Sequence, residues 1–203
     1  MILKSIYLSL FFISFIELII FYENTLDKIN KNYLILYLTS IVANFGYAMS
    51  IFASSLEGAM CGNLVSYIGS IFTVLFMLTV TVDMCQKQFY TPFRLFLLTY
   101  AIAISIVIAT TQNSNLFFKH PYIVQENGIT VIKYKLGIVM FFYIAYLAII
   151  NLSAMIAVIH SIKTKKHVSK KTLKFLLCAL ILGTLIYIIP LSLGYTINLM
   201  PFI

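Results

Sequence analysis

The sequence predicts an all-α fold: a polytopic membrane helix bundle of about six spans with a short extracellular β-hairpin. Three observations predict it. Hydrophobic residues make up 62% of the chain, charged residues only 10%, and the mean hydropathy is +1.01, which leaves a soluble fold no polar surface to present to water. Six apolar runs, at 2–22, 33–53, 59–84, 92–111, 137–160 and 173–200, each reach the roughly 20 residues that a helix needs to cross a hydrocarbon core of about 30 Å. The connection between the fourth and fifth runs alternates apolar and polar residues around an Asn-Gly pair, which is a hairpin signal. Within 203 residues these elements leave no room for a separate soluble domain, and 1–203 reads as one transmembrane domain.

The first run follows Lys4, as a signal peptide would, but no small-residue cleavage site follows it and Glu17 interrupts it; it reads as a span. The second run carries Asn44 and Tyr47. The third carries Gly62, Ser66, Gly69, Ser70 and Thr73 at three- and four-residue spacing, a stripe of small side chains that lets a second helix backbone approach closely. Thr91 and Pro92 read as N-cap and first residue of the fourth helix, where the missing proline donor is harmless. Ser169 is the corresponding cap of the sixth. Pro190 predicts a kink in that last helix, with Gly183 and Gly194 beside it.

Residues 112–136 form the longest connection. From Tyr122 to Tyr134 the alternation surrounds Asn127-Gly128, which supplies the positive φ of a two-residue turn. The expectation is a hairpin over the helix mouth, with Phe117, Phe118, Tyr122 and Tyr134 at headgroup depth.

The net charge of +8 is a statement about topology, because basic residues gather on the cytoplasmic side of short loops. With the amino terminus outside, Lys28, Lys31, Lys87, Arg94, Lys163, Lys165, Lys166, Lys170, Lys171 and Lys174 lie inside. Lys4, Lys119, Lys133 and Lys135 stay outside, four of the 14 basic residues. Lys4 argues for the opposite orientation and is outweighed by the cluster at 163–174. Six spans then leave Ile203 outside, behind an uncharged Pro201-Phe202 end. The expectation is a seventh helix and a cytoplasmic domain beyond this sequence.

Composition and motifs also exclude function classes. A nucleic-acid binder needs a basic folded surface, and here the basic residues belong to membrane loops. No H-E-x-x-H, G-x-S-x-G, Walker loop or Cys-x-x-Cys is present, so no enzyme and no cofactor is predicted for this chain. His120 falls on one side of the membrane and His160 and His167 on the other, which separates them as metal ligands. Cys61 is likewise separated from Cys85 and Cys178. Every lysine sits in a loop or at a helix end, so none is placed for a retinal Schiff base.

The informative residues are polar ones inside spans: Glu17, Asn44, Asn63, Asn151 and Asn198. Such groups tend to face the bundle interior. Near the outer helix ends, Asn44, Tyr47, Asn63, Tyr67, Tyr143, Tyr146 and Tyr187 are the candidate ligand-binding residues, able to line one outward-facing cavity. Tyrosine and asparagine offer hydrogen bonds without fixed charge, which suits a small polar or amphipathic ligand. The same residues are able simply to bond helix to helix, and both readings stand at this point.

Asn44-Phe-Gly-Tyr47 with Ser54-Ser-Leu-Glu57, Ser66-Tyr67-Ile68-Gly69, Asn115-Leu-Phe-Phe118, Tyr134-Lys-Leu-Gly137 and Leu199-Met-Pro201 occur in this order. Together, across 33–203, they resemble the amino-terminal seven-transmembrane sensor region of bacterial histidine kinases and GGDEF diguanylate cyclases. The tryptophans frequent in that family are absent here, and Phe117 stands where one is expected after Leu116. The resemblance implies a membrane-embedded sensory input domain in the bacterial cell membrane. Its partners would be the lipid bilayer, an unidentified small ligand and a cytoplasmic output domain on the same parent chain, with a homodimer as a candidate assembly. The rival reading is a small six-helix transporter or channel.

Overall fold

A computed structural model of the protein describes residues 2–24, 31–111, 114–126, 128–164 and 169–192. Among the described residues six helices and one hairpin follow in chain order: α1 Ile2–Asn24, α2 Lys31–Phe52, α3 Leu56–Met84, α4 Thr91–Thr111, β1 Phe118–Glu126, β2 Ile129–Leu136, α5 Ile138–Thr164 and α6 Lys170–Ser192. Five of the helices, α1 to α5, are long and apolar enough to cross a membrane among the described residues. The sixth begins with Lys170 and Lys171 before turning apolar.

The helix α3 is the hub. Its 29 residues extend about 44 Å, well beyond a hydrocarbon core of about 30 Å. It packs against α2, α4 and α5; α1 lies on the far side of α2, and α6 on α5. Lipid is as apolar as a leucine side chain, so contacts inside the bilayer are held by close packing and not by escape from water. The α2–α3 seam shows how close. A Cβ added at Gly62 would overlap the backbone of Ser50, one at Gly46 the backbone of Ser66, and one at Gly69 that of Ala43. The small-residue stripe of the third run is thus spent on α2.

Helix starts follow local chemistry. Ser55 caps α3, its hydroxyl accepting from the Gly58 amide at 3.1 Å. Ser169 caps α6 as predicted, its hydroxyl accepting from the Thr172 amide at 3.4 Å. At α4 the first carbonyl bond comes one residue earlier than predicted, from the Arg94 amide to the Tyr90 carbonyl at 3.0 Å.

The hairpin is antiparallel and pairs Glu126 with Ile129 across the two-residue turn, where Gly128 has φ of 80°. It starts earlier than the alternation suggested. Phe118 already pairs with Leu136, and an irregularity between Lys119 and Tyr122 absorbs His120, at φ 51°, and Pro121.

One end of the bundle gathers the start of α1, the α2–α3 turn and the hairpin. Tyr7, Tyr47, Ile51, Ile129 and Val131 form a common apolar cluster there. The Thr130 hydroxyl donates to the Ala53 carbonyl, and Lys4 lies over the Phe52 ring at 5.3 Å. The opposite end is tied by the Ser161 hydroxyl, which donates to the Cys85 carbonyl at 3.1 Å, and by the Asn32 amide donating to Asp83 at 3.0 Å.

Two expectations change. Glu17 was expected to face the bundle interior but is exposed on α1, because α1 packs mainly on α2 and turns most of its surface outward. Asn151 bonds its own helix, at the Leu147 carbonyl, 3.0 Å away. The Pro190 side chain, Gly194 and Asn198 lie outside the described residues.

Candidate functional site: an aromatic layer closed by the loop before the hairpin

The site forms where the loop leading into the hairpin enters the mouth of the bundle. Gly137, immediately before α5, donates its amide to the Phe117 carbonyl at 2.9 Å, and the Val139 amide donates to the Leu116 carbonyl at 3.0 Å. These bonds press the loop backbone against the start of α5, and a Cβ at Gly137 would collide with the Leu116 and Phe117 carbonyls. Asn115, at φ 50°, turns the chain inward, and its side-chain oxygen accepts from the His120 amide at 3.1 Å.

Phe117 and Phe118 are consequently driven into the bundle, 1% and 3% exposed. The Phe117 ring meets Tyr67 edge-on at 5.1 Å, and Tyr67 in turn meets Tyr143 edge-on at 5.2 Å. Phe118 packs on Tyr134 of β2 at 4.1 Å. Edge-to-face pairs of this kind are each worth about 0.5–1.5 kcal/mol beyond simple burial. The Tyr67 and Tyr134 hydroxyls come within 3.4 Å of each other, which joins α3 to the hairpin. Burial pushes the Tyr134 phenol above its ordinary value of 10.0, so it stays neutral at physiological pH.

The seven candidate residues divide. Tyr67 and Tyr143 belong to this layer. Tyr146, less than one turn further along α5, is fully buried; its hydroxyl donates to the Ile71 carbonyl at 3.2 Å, and its ring meets Tyr100 at 5.2 Å. Tyr47 lies on the α1 side of the layer, in the cluster with Tyr7 and Val131. Asn44 is drawn away to α1, donating to the Ser14 hydroxyl at 2.6 Å. Asn63 is half-buried on α3, and the Tyr187 side chain lies outside the described residues. Phe117, Phe118 and Tyr134 were expected at headgroup depth. The two phenylalanines instead plug the mouth, and of the four loop aromatics Tyr122 keeps an exposed position, 55% exposed.

A crevice lined by Met60, Leu64, Tyr67, Ile108, Phe117 and Phe118 has a volume of about 10 Å³, space for one water at most. In this arrangement the loop aromatics fill the mouth of the bundle. No group of three or more His, Cys, Asp or Glu side chains suited to a metal ion occurs among the described residues. What the layer offers is apolar ring faces, neutral hydroxyls, and a loop packed against them.

Searches of curated proteins and of solved structures returned no match. A comparison with protein-family models did: residues 6–203 match the family described as the N-terminal 7TM region of histidine kinase. That match, over almost the whole of a multi-pass helix bundle, places this chain in the family of histidine-kinase N-terminal seven-transmembrane regions, which are non-catalytic sensory input domains.

Proposed function

We propose that the chain senses an extracellular or membrane-borne stimulus at the aromatic layer and passes it to a cytoplasmic output, a histidine kinase or a diguanylate cyclase. The amino terminus and hairpin face outside the bacterial cell membrane, and the lysine-rich connections face the cytoplasm. The observation that carries the reading is the insertion of Phe117 and Phe118 against Tyr67, because it makes the outer loop part of the bundle's packing. A small amphipathic ligand that displaces these rings would change what α3 and α5 pack against. Such a ligand biases the bundle only by its different affinity for the plugged and unplugged arrangements.

The test is a response curve of the complete receptor. Phe117→Ala and Tyr67→Leu are expected to change either basal output or the ligand concentration at half response, with membrane insertion intact. Asn63→Leu, at the rim, is expected to shift the curve less. Unchanged curves for both ring variants would exclude the layer as the sensing site, and stimulus-independent substrate flux in proteoliposomes would favour a transporter.

A further inference from the structure

The end of the bundle opposite the hairpin carries an unbalanced cationic rim. Lys163 closes α5, and Lys170, Lys171 and Lys174 open α6. All four are exposed. Leu173, 0% exposed, pins this turn of α6 to the core and leaves its lysines facing outward. No carboxylate lies within ion-pair distance of these four among the described residues, and the first turn of α6 contains no acidic residue. Cations at a helix amino terminus are unfavourable, since that end already carries partial positive charge.

The hairpin end is built differently. There Lys133 is paired with Glu126 at 2.6 Å and Lys4 lies over the Phe52 ring. Among the described residues Lys119 and Lys135 at that end have no ion pair, so the asymmetry is one of number and clustering, four such lysines against two.

Aromatic side chains mark the depth of the rim. Phe175, 77% exposed, and Tyr90, 73% exposed, are the two most exposed large hydrophobic side chains among the described residues. Phe175 follows Lys174 directly and lies about 8 Å along α6 from Lys170. That offset sets an aromatic ring at the acyl boundary while the ammonium groups reach the phosphate level.

We infer that this rim is a docking surface for acidic phospholipid headgroups of the facing leaflet, held by Lys163, Lys170, Lys171 and Lys174 and seated by Phe175. A free phosphate would satisfy the charge but would leave Phe175 without a partner. The inference does not rest on the sensing role of the aromatic layer.

The test uses the full chain reconstituted in phosphatidylcholine bilayers containing spin-labelled phosphatidylglycerol or spin-labelled phosphatidylcholine. Electron paramagnetic resonance gives the fraction of each lipid held at the protein surface. The native chain is expected to prefer phosphatidylglycerol several-fold at low salt, and the preference is expected to fall towards parity at about 1 M salt, where charges are screened beyond about 3 Å. Lys170→Gln, Lys171→Gln and Lys174→Gln together should remove most of it. Lys119→Gln with Lys135→Gln, at the hairpin end, should leave it unchanged. Equal retention of the two lipids by the native chain, a preference that survives the α6 triple variant, or one that follows the hairpin lysines would each overturn the inference. So would full displacement by millimolar inorganic phosphate, which would indicate a site for free anions.

Discussion

The ring of Phe117, from the loop before the hairpin, stands edge-on to the ring of Tyr67, from α3, at 5.1 Å and 85°. A loop residue is thereby as buried as any residue of the transmembrane core. Phe117→Ala should cost about 3 kcal/mol or more, the range for deleting a buried aromatic side chain without collapse of the site. Phe117→Leu, which keeps most of the volume, should cost clearly less. Thermal unfolding of the purified protein in detergent measures both, and equal, negligible shifts would show that the ring is not packed.

Two glycines of α3 are expected to respond oppositely to the same substitution. Gly62→Ala drives a methyl into the Ser50 backbone of α2, and separating the two helices should cost about 2 kcal/mol. Gly58→Ala places its methyl 3.2 Å from the Ser55 hydroxyl oxygen, a side-chain and not a backbone neighbour. It should be neutral or slightly stabilising, because alanine favours helix over glycine by up to about 1 kcal/mol. Melting temperatures of the two variants in one detergent check the contrast.

Much of this packing was legible in the sequence, and the parts that were not share a cause. The Asn-Gly pair announces the hairpin because a two-residue turn needs positive φ whatever surrounds it. The stripe from Gly62 to Thr73 announces a close helix contact, since small side chains at that spacing have little other use inside a bilayer. Phe117 and Phe118 were misplaced at the interface, because a loop aromatic beside a membrane has two good environments. The choice was made by distant backbone bonds, from Gly137 and Val139. Glu17 was misjudged for a similar reason: which face of α1 meets α2 depends on the phase of a helix with almost no buried surface. Of the candidate ligand-binding residues, Tyr67 and Tyr143 meet ring to ring, whereas the bond from Asn44 to Ser14 depends on a partner that only the fold supplies.

Alkaline pH should loosen the hairpin. Burial raises the Tyr134 phenol above 10.0 in the folded protein, so the neutral phenol is the form that the fold favours. Its contribution is complete below the unfolded value and is lost as pH rises through the folded one. Stability should therefore be flat from about pH 7 to about pH 9 and decline above about pH 10. Tyr134→Phe should show a shallower decline, read by melting temperature against pH.

Cys85 should resist modification. It closes α3 with no exposed surface, and burial is the main reason its thiol is pushed above the ordinary 9.0. A thiol both covered and protonated is a poor nucleophile. A membrane-permeant maleimide should label Cys61, exposed near the start of α3, and reach Cys85 only after denaturation. Rapid labelling of Cys85 in the folded protein would mean that the junction bonded by Ser161 opens readily.

The orientation of the bundle underlies the sensory reading, and one labelling experiment measures it. In a cysteine-free background, Lys119→Cys at the hairpin end and Lys171→Cys at the start of α6 are treated in intact cells with an impermeant maleimide. The account predicts that Lys119→Cys is labelled at once and Lys171→Cys only after the cells are permeabilised. Labelling of Lys171→Cys from outside, with Lys119→Cys protected, would put the hairpin in the cytoplasm and contradict the proposed direction of signalling.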